Sequence, residues 1–338
     1  MKLNLDIFFN RLALLFFCLF VGFTFSTLKA QSSAEIYKQI EKLNFLGTVL
    51  YFAAHPDDEN TRVISYFSNH LLARTAYLSL TRGDGGQNLI GPELREGLGL
   101  IRTQELITAR KIDGGLQFFT MANDFGYSKN PEETFDFWEK DKILNQTIDR
   151  INEFKPDIII NRFNVASSGR THGHHTASAA ISNLAFKKLY ENTAAGNWKP
   201  KRLFFNTSWY FYGGRESFNR ADKTGLISID MGVYDPLTGK SNSEIAALSR
   251  SQHKSQGFGS SPALGSRTEY LSLVQGQPII GNDPFEGINT SWTRVRGGKN
   301  IEKIINEIIA NFDLTTPLKS VPKLLEARDL INKIDDEH

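Results

Sequence analysis

Residues 48–59 read Thr48-Val49-Leu50-Tyr51-Phe52-Ala53-Ala54-His55-Pro56-Asp57-Asp58-Glu59. A short apolar run rich in β-branched and aromatic residues, ended by a proline and an acidic cluster, is a buried strand that stops and hands over to a helix. Its reactive side chains therefore stand at the strand's carboxyl end, where open α/β sheets bind ligands. Imidazole and carboxylate suit a divalent metal, and three protein ligands with one open position is the layout of a catalytic zinc site. His55 and Asp58 are close enough across the turn to share one ion, while Asp57 between them points elsewhere and stays available as a base. The competing reading is structural: negative charge also suits the first turn of a helix, with His55 a polar strand end.

A second cluster repeats the arrangement. Thr171-His172-Gly173-His174-His175 follows the apolar segment 156–161 and opens a helical pattern through Ala179, Ile181 and Leu184 to Tyr190. Three of the seven histidines thus fall within four residues at another strand-to-helix crossing. Positions i and i+3 share one helix face, so His172 and His175 are expected to look at the same point. His174 is expected to face away, behind the ligands or into solvent. A solvated histidine run is the bland alternative.

These two blocks, with Thr81-Arg82-Gly83-Asp84-Gly85-Gly86 between them, resemble in kind and order the three signature blocks of the PIG-L/LmbE-like N-acetylglucosaminyl deacetylase family. Arg102 with Glu105, and His253-Lys254-Ser255-Gln256, are similar to weaker landmarks, so the resemblance spans roughly residues 45–260. Asp84 departs from it, standing where many members carry Glu. The resemblance implies an N-acetylglucosamine-type sugar in a larger conjugate as substrate, acetate as product, and Arg82 as a grip on sugar hydroxyls or a phosphate. On the residues' own chemistry, His55, Asp58 and His175 would hold one ion, most simply Zn²⁺, with Fe²⁺ the alternative. That ion would let water ionise near a pH of about 7. Asp57 would take the proton as general base. A positively charged His172, its proton kept by facing carboxylates, would share the oxyanion and later protonate the leaving amine.

The glycine block permits a tight turn whose N–H groups can bind an anion; a plain turn is the alternative. Residues 88–100 read as a loop over the site, with helix resuming at Arg102. One helix is expected over 134–154, strands over 202–208 and 226–231, and a helix over 241–256. The aromatic run Trp209-Tyr210-Phe211-Tyr212 suits stacking on sugars, but aromatics are more often core. Strand–helix alternation gives the fold class: α/β, a Rossmann-like three-layer sandwich with a mostly parallel central sheet. A helix over 301–312 closes the domain at about residue 315. Residues 316–338, helical in spacing but without an evident partner, read as a linker or the start of a further region.

Residues 1–30 carry a basic start, an apolar block and a small-residue boundary near Ala30, the pattern of a secretory signal peptide. An uncleaved anchor is the alternative; with cleavage, no stable membrane span is expected. This segment's three basic residues and one acid account for the formal charge of +2, leaving the rest near neutral, which argues against nucleic-acid binding. It also holds the single cysteine, Cys18, so the domain has no thiol nucleophile or thiolate ligand. The expected location is periplasmic or extracellular. Two rival functions share these residues: a metal-dependent phosphoester hydrolase, which commonly uses two ions and more carboxylates, and a non-catalytic carbohydrate-binding metal protein.

Overall fold

Thr48–Ala53 forms β1 and alternates strictly between two cores, the mark of a strand covered on both faces. Val49, Tyr51 and Ala53 join one cluster with Val63, Ile64 and Phe67. Leu50 and Phe52 join the other with Ile143, Leu144, Ile151 and Ile181. The five side chains from Val49 to Ala53 are essentially inaccessible, so each large one contributes about 1.5–3 kcal/mol of burial. Helices on both sides of one sheet make the three-layer α/β sandwich expected from the sequence. The computed structural model describes residues 31–167, 170–191, 196–259 and 261–334. The segment read as an export signal lies outside them.

In chain order the described elements are α1 (Ser33–Lys42), β1, α2 (Thr61–Ser65, continued by a π-helical turn Tyr66–His70), β2 (Arg74–Ser79), α3 (Glu96–Asp113) and β3 (Leu116–Phe119). There follow α4 (Pro131–Phe137), α5 (Lys140–Phe154), β4 (Ile158–Asn161), α6 (Gly173–Glu191), β5 (Arg202–Thr207), α7 (Arg215–Arg220) and β6 (Leu226–Asp230). The remainder is a two-residue hairpin, β7 (Tyr234–Asp235) and β8 (Lys240–Ser241), then α8 (Asn242–Arg250), β9 (Thr268–Gly276), α9 (Lys299–Ala310) and α10 (Val321–Ile331). The sheet order is β3-β2-β1-β4-β5-β9-β6. β3 to β5 pair in parallel; β9 alone runs against its neighbours. The chain winds outward from β1 to β3 and then resumes on β1's other side at β4. The β1/β4 boundary is therefore the switch point whose carboxyl end opens a crevice.

Four segments differ from the sequence reading. Helix α3 begins at Glu96, taking in Gly97 and Gly99. A Cβ on Gly99 would lie 3.1 Å from Asp84 Cβ, so this glycine permits the helix to pass close under the preceding turn. The helix expected over 134–154 is two, broken where Trp138 turns extended at ψ 127°. β9 has no counterpart in the sequence reading; it lies between β5 and β6, and its pairing is wholly long-range. The segment read as a linker contains α10, whose buried Ala327 packs with Ile304 and Ile308 of α9 and Ile40 of α1.

Candidate metal centre and its cleft

Beyond β1 the chain turns at once, and Asp57 sits at φ +90°, a left-handed conformation that a non-glycine residue keeps only when held. Three groups hold it. Glu59 accepts the Asp57 N–H at 2.9 Å, and Arg250 Nη1 donates to the Asp57 carbonyl at 2.7 Å. Buried Arg102 donates from Nη2 to Asp57 Oδ1 at 2.7 Å and to the Pro56 carbonyl at 2.5 Å. The strained turn aims Asp57 into a cleft of about 570 Å³ that Asp58 and His175 also line.

Asp58 lies between two imidazoles. Its Oδ2 accepts the His55 N–H at 2.7 Å and faces His55 Nδ1 at 3.1 Å, while Oδ1 lies 3.3 Å from His175 Nε2. Ligand atoms of His55, Asp58 and His175 all fall within 4.8 Å of one another. Phe163, just past β4, stacks flat on His175 at 3.8 Å, and Thr171 Oγ1 meets His175 Nδ1 at 2.8 Å. Ligation of an ion at Nε2 requires the tautomer in which Nδ1–H donates to Thr171, and that tautomer turns a bare Nε2 on a carboxylate. Two acceptors facing each other are what a divalent ion satisfies, so the donor set fits such an ion.

A second trio, His55, His172 and His174, also brings its ligand atoms within 4.8 Å of one another. Helix α6 begins at Gly173, so His172 precedes it and the i, i+3 argument does not apply. His174 is not in solvent. It is fully buried against Phe125 and Trp138, its Nδ1 2.9 Å from His55 Nε2, and its Nε2 has no partner among the described residues. Because both trios use His55, and only His175 and Asp58 border the cleft, the first is the one with an open side.

The electrostatics correct one expectation. Burial, reinforced by the neighbouring His55 and His175 imidazoles, pushes His172 down to about 4, so it is neutral near pH 7 rather than cationic. Its Nδ1 accepts the His174 N–H at 3.1 Å, which leaves the proton on Nε2. Burial raises Asp57, although Arg102 opposes it. Burial also opposes ionisation of Asp58, yet His175 and His55 hold it well below the carboxylate range.

Arg82 does not line the cleft: it is exposed, its guanidinium 4.2 Å over the Phe119 ring and donating to Thr103 Oγ1 at 3.2 Å. The glycine block makes room for a different arginine. A Cβ on Gly83 or Gly86 would fall 2.4 or 2.6 Å from Arg102 Nη1, and one on Gly85 would strike the Asp124 carbonyl at 2.2 Å. Arg102 and Asp124, whose carboxylate lies 4.0 Å from His55 and 3.9 Å from His174, are the neighbours that the sequence reading did not assign to the site. The available signal was Arg102's place between Leu98 and Leu106, one turn apart on the buried stripe of α3.

Residues 50–186 match the family model described as PIG-L, GlcNAc-PI de-N-acetylase. The chain carries a PIG-L domain. A PIG-L domain is of the de-N-acetylase class, which makes amide hydrolysis the reaction type. The matched segment includes both histidine-bearing blocks, whereas the aromatic turn, Arg250 and His253 lie beyond it. No curated protein matches the chain. Among solved structures, the chain is similar to a conserved protein of Thermus thermophilus, at 17% identity and TM-score 0.42 over 63% of this chain and 80% of that one. It is also similar to the N,N'-diacetylchitobiose deacetylase of Pyrococcus horikoshii, at 12% identity and TM-score 0.44 over 66% and 75%. A third is GalB, the 4-carboxy-2-hydroxymuconate hydratase of Pseudomonas putida, at 13% and 0.47 over 70% and 99%.

Proposed function

We propose that this PIG-L domain hydrolyses the acetamide of an N-acetylglucosamine-type sugar conjugate with a divalent ion, most simply Zn²⁺, held by His55, Asp58 and His175. The observation that carries this reading is the cleft floor: three ligand atoms within 4.8 Å beside a carboxylate, Asp57, already claimed by Arg102 instead of by the trio. When bound, the ion would supply Lewis acidity to water and to the amide carbonyl.

The chain's own groups supply the proton path. Asp57 takes a proton from water and, with its affinity for protons raised by burial, returns it to the departing amine. Arg102 keeps that carboxylate in place throughout. Neutral His172 donates from Nε2 to the developing oxyanion, replacing the cationic acid expected from sequence. Exposed Trp209 and Tyr210 form a wall of the cleft suited to a sugar face. Two-ion phosphoester chemistry fits less well, because the two trios share His55 and so describe one ion. Among the described residues no helix is long and apolar enough to cross a membrane. Export directed by residues 1–30 would place the substrate in the cell envelope or outside it.

The test is acetate release from N-acetylglucosamine conjugates before and after chelation, with phosphoester substrates in parallel. Asp57→Asn should lower kcat by about 10²–10⁴-fold with zinc still bound. Unchanged turnover in that variant, or turnover indifferent to chelator, overturns the proposal.

A further inference from the structure

One buried imidazole near the centre has no task in the proposed reaction. His174, in the first turn of α6, is fully buried and does not border the cleft. Its backbone N–H goes to His172 Nδ1 at 3.1 Å, and its ring forms a hydrogen bond at one point, where its Nδ1 lies 2.9 Å from His55 Nε2. Asp124 is the nearest carboxylate, but it stands 4.0 Å from His55 Nε2 and 3.9 Å from His174 Nδ1, beyond hydrogen-bond reach of either. The far nitrogen, His174 Nε2, has no partner among the described residues. The ring is walled by Phe125, with centroids 4.6 Å apart and planes at 78°, and by Trp138 at 4.9 Å. Trp138 gives its own indole N–H to the Asn123 carbonyl at 2.8 Å, so it offers His174 only ring surface.

Once both rings are neutral, each carries one proton, and a bond between them needs one donor and one acceptor. That leaves two arrangements. In the first, His174 donates from Nδ1. Its Nε2 is then a lone pair sealed among electron-rich rings, and His55, accepting at Nε2, keeps its proton on Nδ1 with no lone pair to turn towards Asp58 and His175. In the second, His174 keeps its proton on Nε2, where an N–H suits aromatic ring surface, and its Nδ1 accepts from His55 Nε2–H. His55 Nδ1 is then bare, 3.1 Å from Asp58 Oδ2. That oxygen does not require a proton from the ring, because it already accepts the His55 backbone N–H at 2.7 Å. The surroundings of both rings therefore favour the second arrangement.

We propose that His174 is a positioning residue: the Phe125–Trp138 slot keeps its proton on Nε2, its Nδ1 accepts the His55 Nε2–H, and His55 Nδ1 is thereby fixed as the nitrogen available to an ion. The ion rests on the metal reading above; the placement of the protons does not. With its Nδ1 lone pair spent on His55, His174 is no ligand itself, and the second trio supports the first instead of forming a site of its own.

Proton–nitrogen correlation spectra of the metal-free chain, isotope-labelled at its histidines and held at alkaline pH, read both tautomers, and equilibrium dialysis reads zinc affinity. His55 and His174 should both carry the proton on Nε2. His174→Phe fills the slot and deletes the acceptor, so zinc affinity should fall about ten- to a hundredfold, the range for a group that orients a metal-bound histidine. His174→Asn sets an amide oxygen where Nδ1 stood and should recover most of that affinity, although it packs the slot worse. A purely structural role gives the opposite order, with His174→Phe nearer wild type in both urea midpoint and zinc affinity. A His55 proton on Nδ1 overturns the proposal, as does unchanged zinc affinity in His174→Phe or an affinity in His174→Asn no better than in His174→Phe. The expected tautomers in a chain that binds no zinc would keep the proton placement and remove the metal reading. Tight zinc binding with the His55 proton on Nδ1 would do the reverse.

Discussion

The pentapeptide His55–Glu59 feeds two regions built from the same residue types, and they behave oppositely. On its cleft side Asp58 meets His55 and His175, with His172, His174 and Asp124 close behind: two carboxylates among four imidazoles. On its inner side Glu59 meets His253 at 2.8 Å and Arg110 at 3.2 Å, and Arg110 forks onto Asp113, which also accepts from Ser249 at 2.6 Å. All five inner residues are fully or nearly buried, and the Arg110 guanidinium is shared by the two acids. In the inner region both carboxylates meet the Arg110 guanidinium; in the outer one Asp58 meets no guanidinium among the described residues, only imidazole nitrogens that point at a common centre. Charged clusters therefore divide into those that hold a fold and those that await a cation, and the presence of a fixed guanidinium distinguishes them better than burial does. The two are joined mechanically: Glu59 accepts the Asp57 N–H, and Tyr77, whose ring lies 5.5 Å from the Arg110 guanidinium, donates to the His55 carbonyl at 2.5 Å.

The sharpest break in this comparison comes from the outer side. His175→Ala removes a ligand whose ring is stacked and hydrogen-bonded in place. Losing a group that merely orients a ligand already costs about 10–100-fold in metal affinity, so loss of the ligand itself should exceed roughly a hundredfold. Equilibrium dialysis against zinc measures it, and stoichiometric tight binding by the variant would show that the ion belongs to the other trio. Stability without zinc should change little.

Arg110→Met should show the inverse pattern. It leaves Glu59 facing His253 alone and strips Asp113 of its ion-pair partner inside a region closed to water. Breaking one partner out of a buried network costs about 3–5 kcal/mol, read as a shift of the urea midpoint at constant slope. Burial works against the Glu59 charge, but His253 and Arg110 together lower it to about 2, so their grip on it is considerable. A loss under about 1 kcal/mol would mean that the inner cluster is solvated in a way its burial does not suggest.

What the sequence disclosed divides along the same line. Strand periodicity, the two histidine blocks and the crossover alternation were legible because each is local: β1, β4 and α6 start and stop near where propensity and pattern put them. Arg102, Glu59's partners and β9 were not, because their meaning is long-range. The hydrogen bond from Arg102 to Asp57 spans 45 positions and that between Glu59 and His253 spans 194. His172 was misjudged for a related reason. Its expected charge was argued from carboxylates in the same blocks, whereas the fold surrounds it with imidazoles brought from β1 and α6. Arg82 was assigned through the family resemblance and the glycine block through its turn chemistry, and the turn proved to be shaped around Arg102 instead.

The smallest expected effects give the cleanest discrimination, because one hydroxyl sits in each region with a comparable bond. Thr171 Oγ1 meets His175 Nδ1 at 2.8 Å; Ser249 Oγ donates to Asp113 Oδ2 at 2.6 Å. Thr171→Val keeps the shape and deletes the group that fixes which imidazole nitrogen is bare, so zinc affinity should fall about tenfold, the lower end for such partners, while the urea midpoint stays put. Ser249→Ala deletes a bond to a buried carboxylate that still has Arg110, so about 1 kcal/mol of stability should go with zinc affinity unchanged. If the two variants exchanged signatures, with Thr171→Val unfolding early and Ser249→Ala releasing metal, the division into a holding cluster and a cation-binding one would be wrong. If both moved both quantities together, the Glu59 and Tyr77 links would couple the regions into one unit, and stability and metal affinity would have to be treated as a single linked equilibrium.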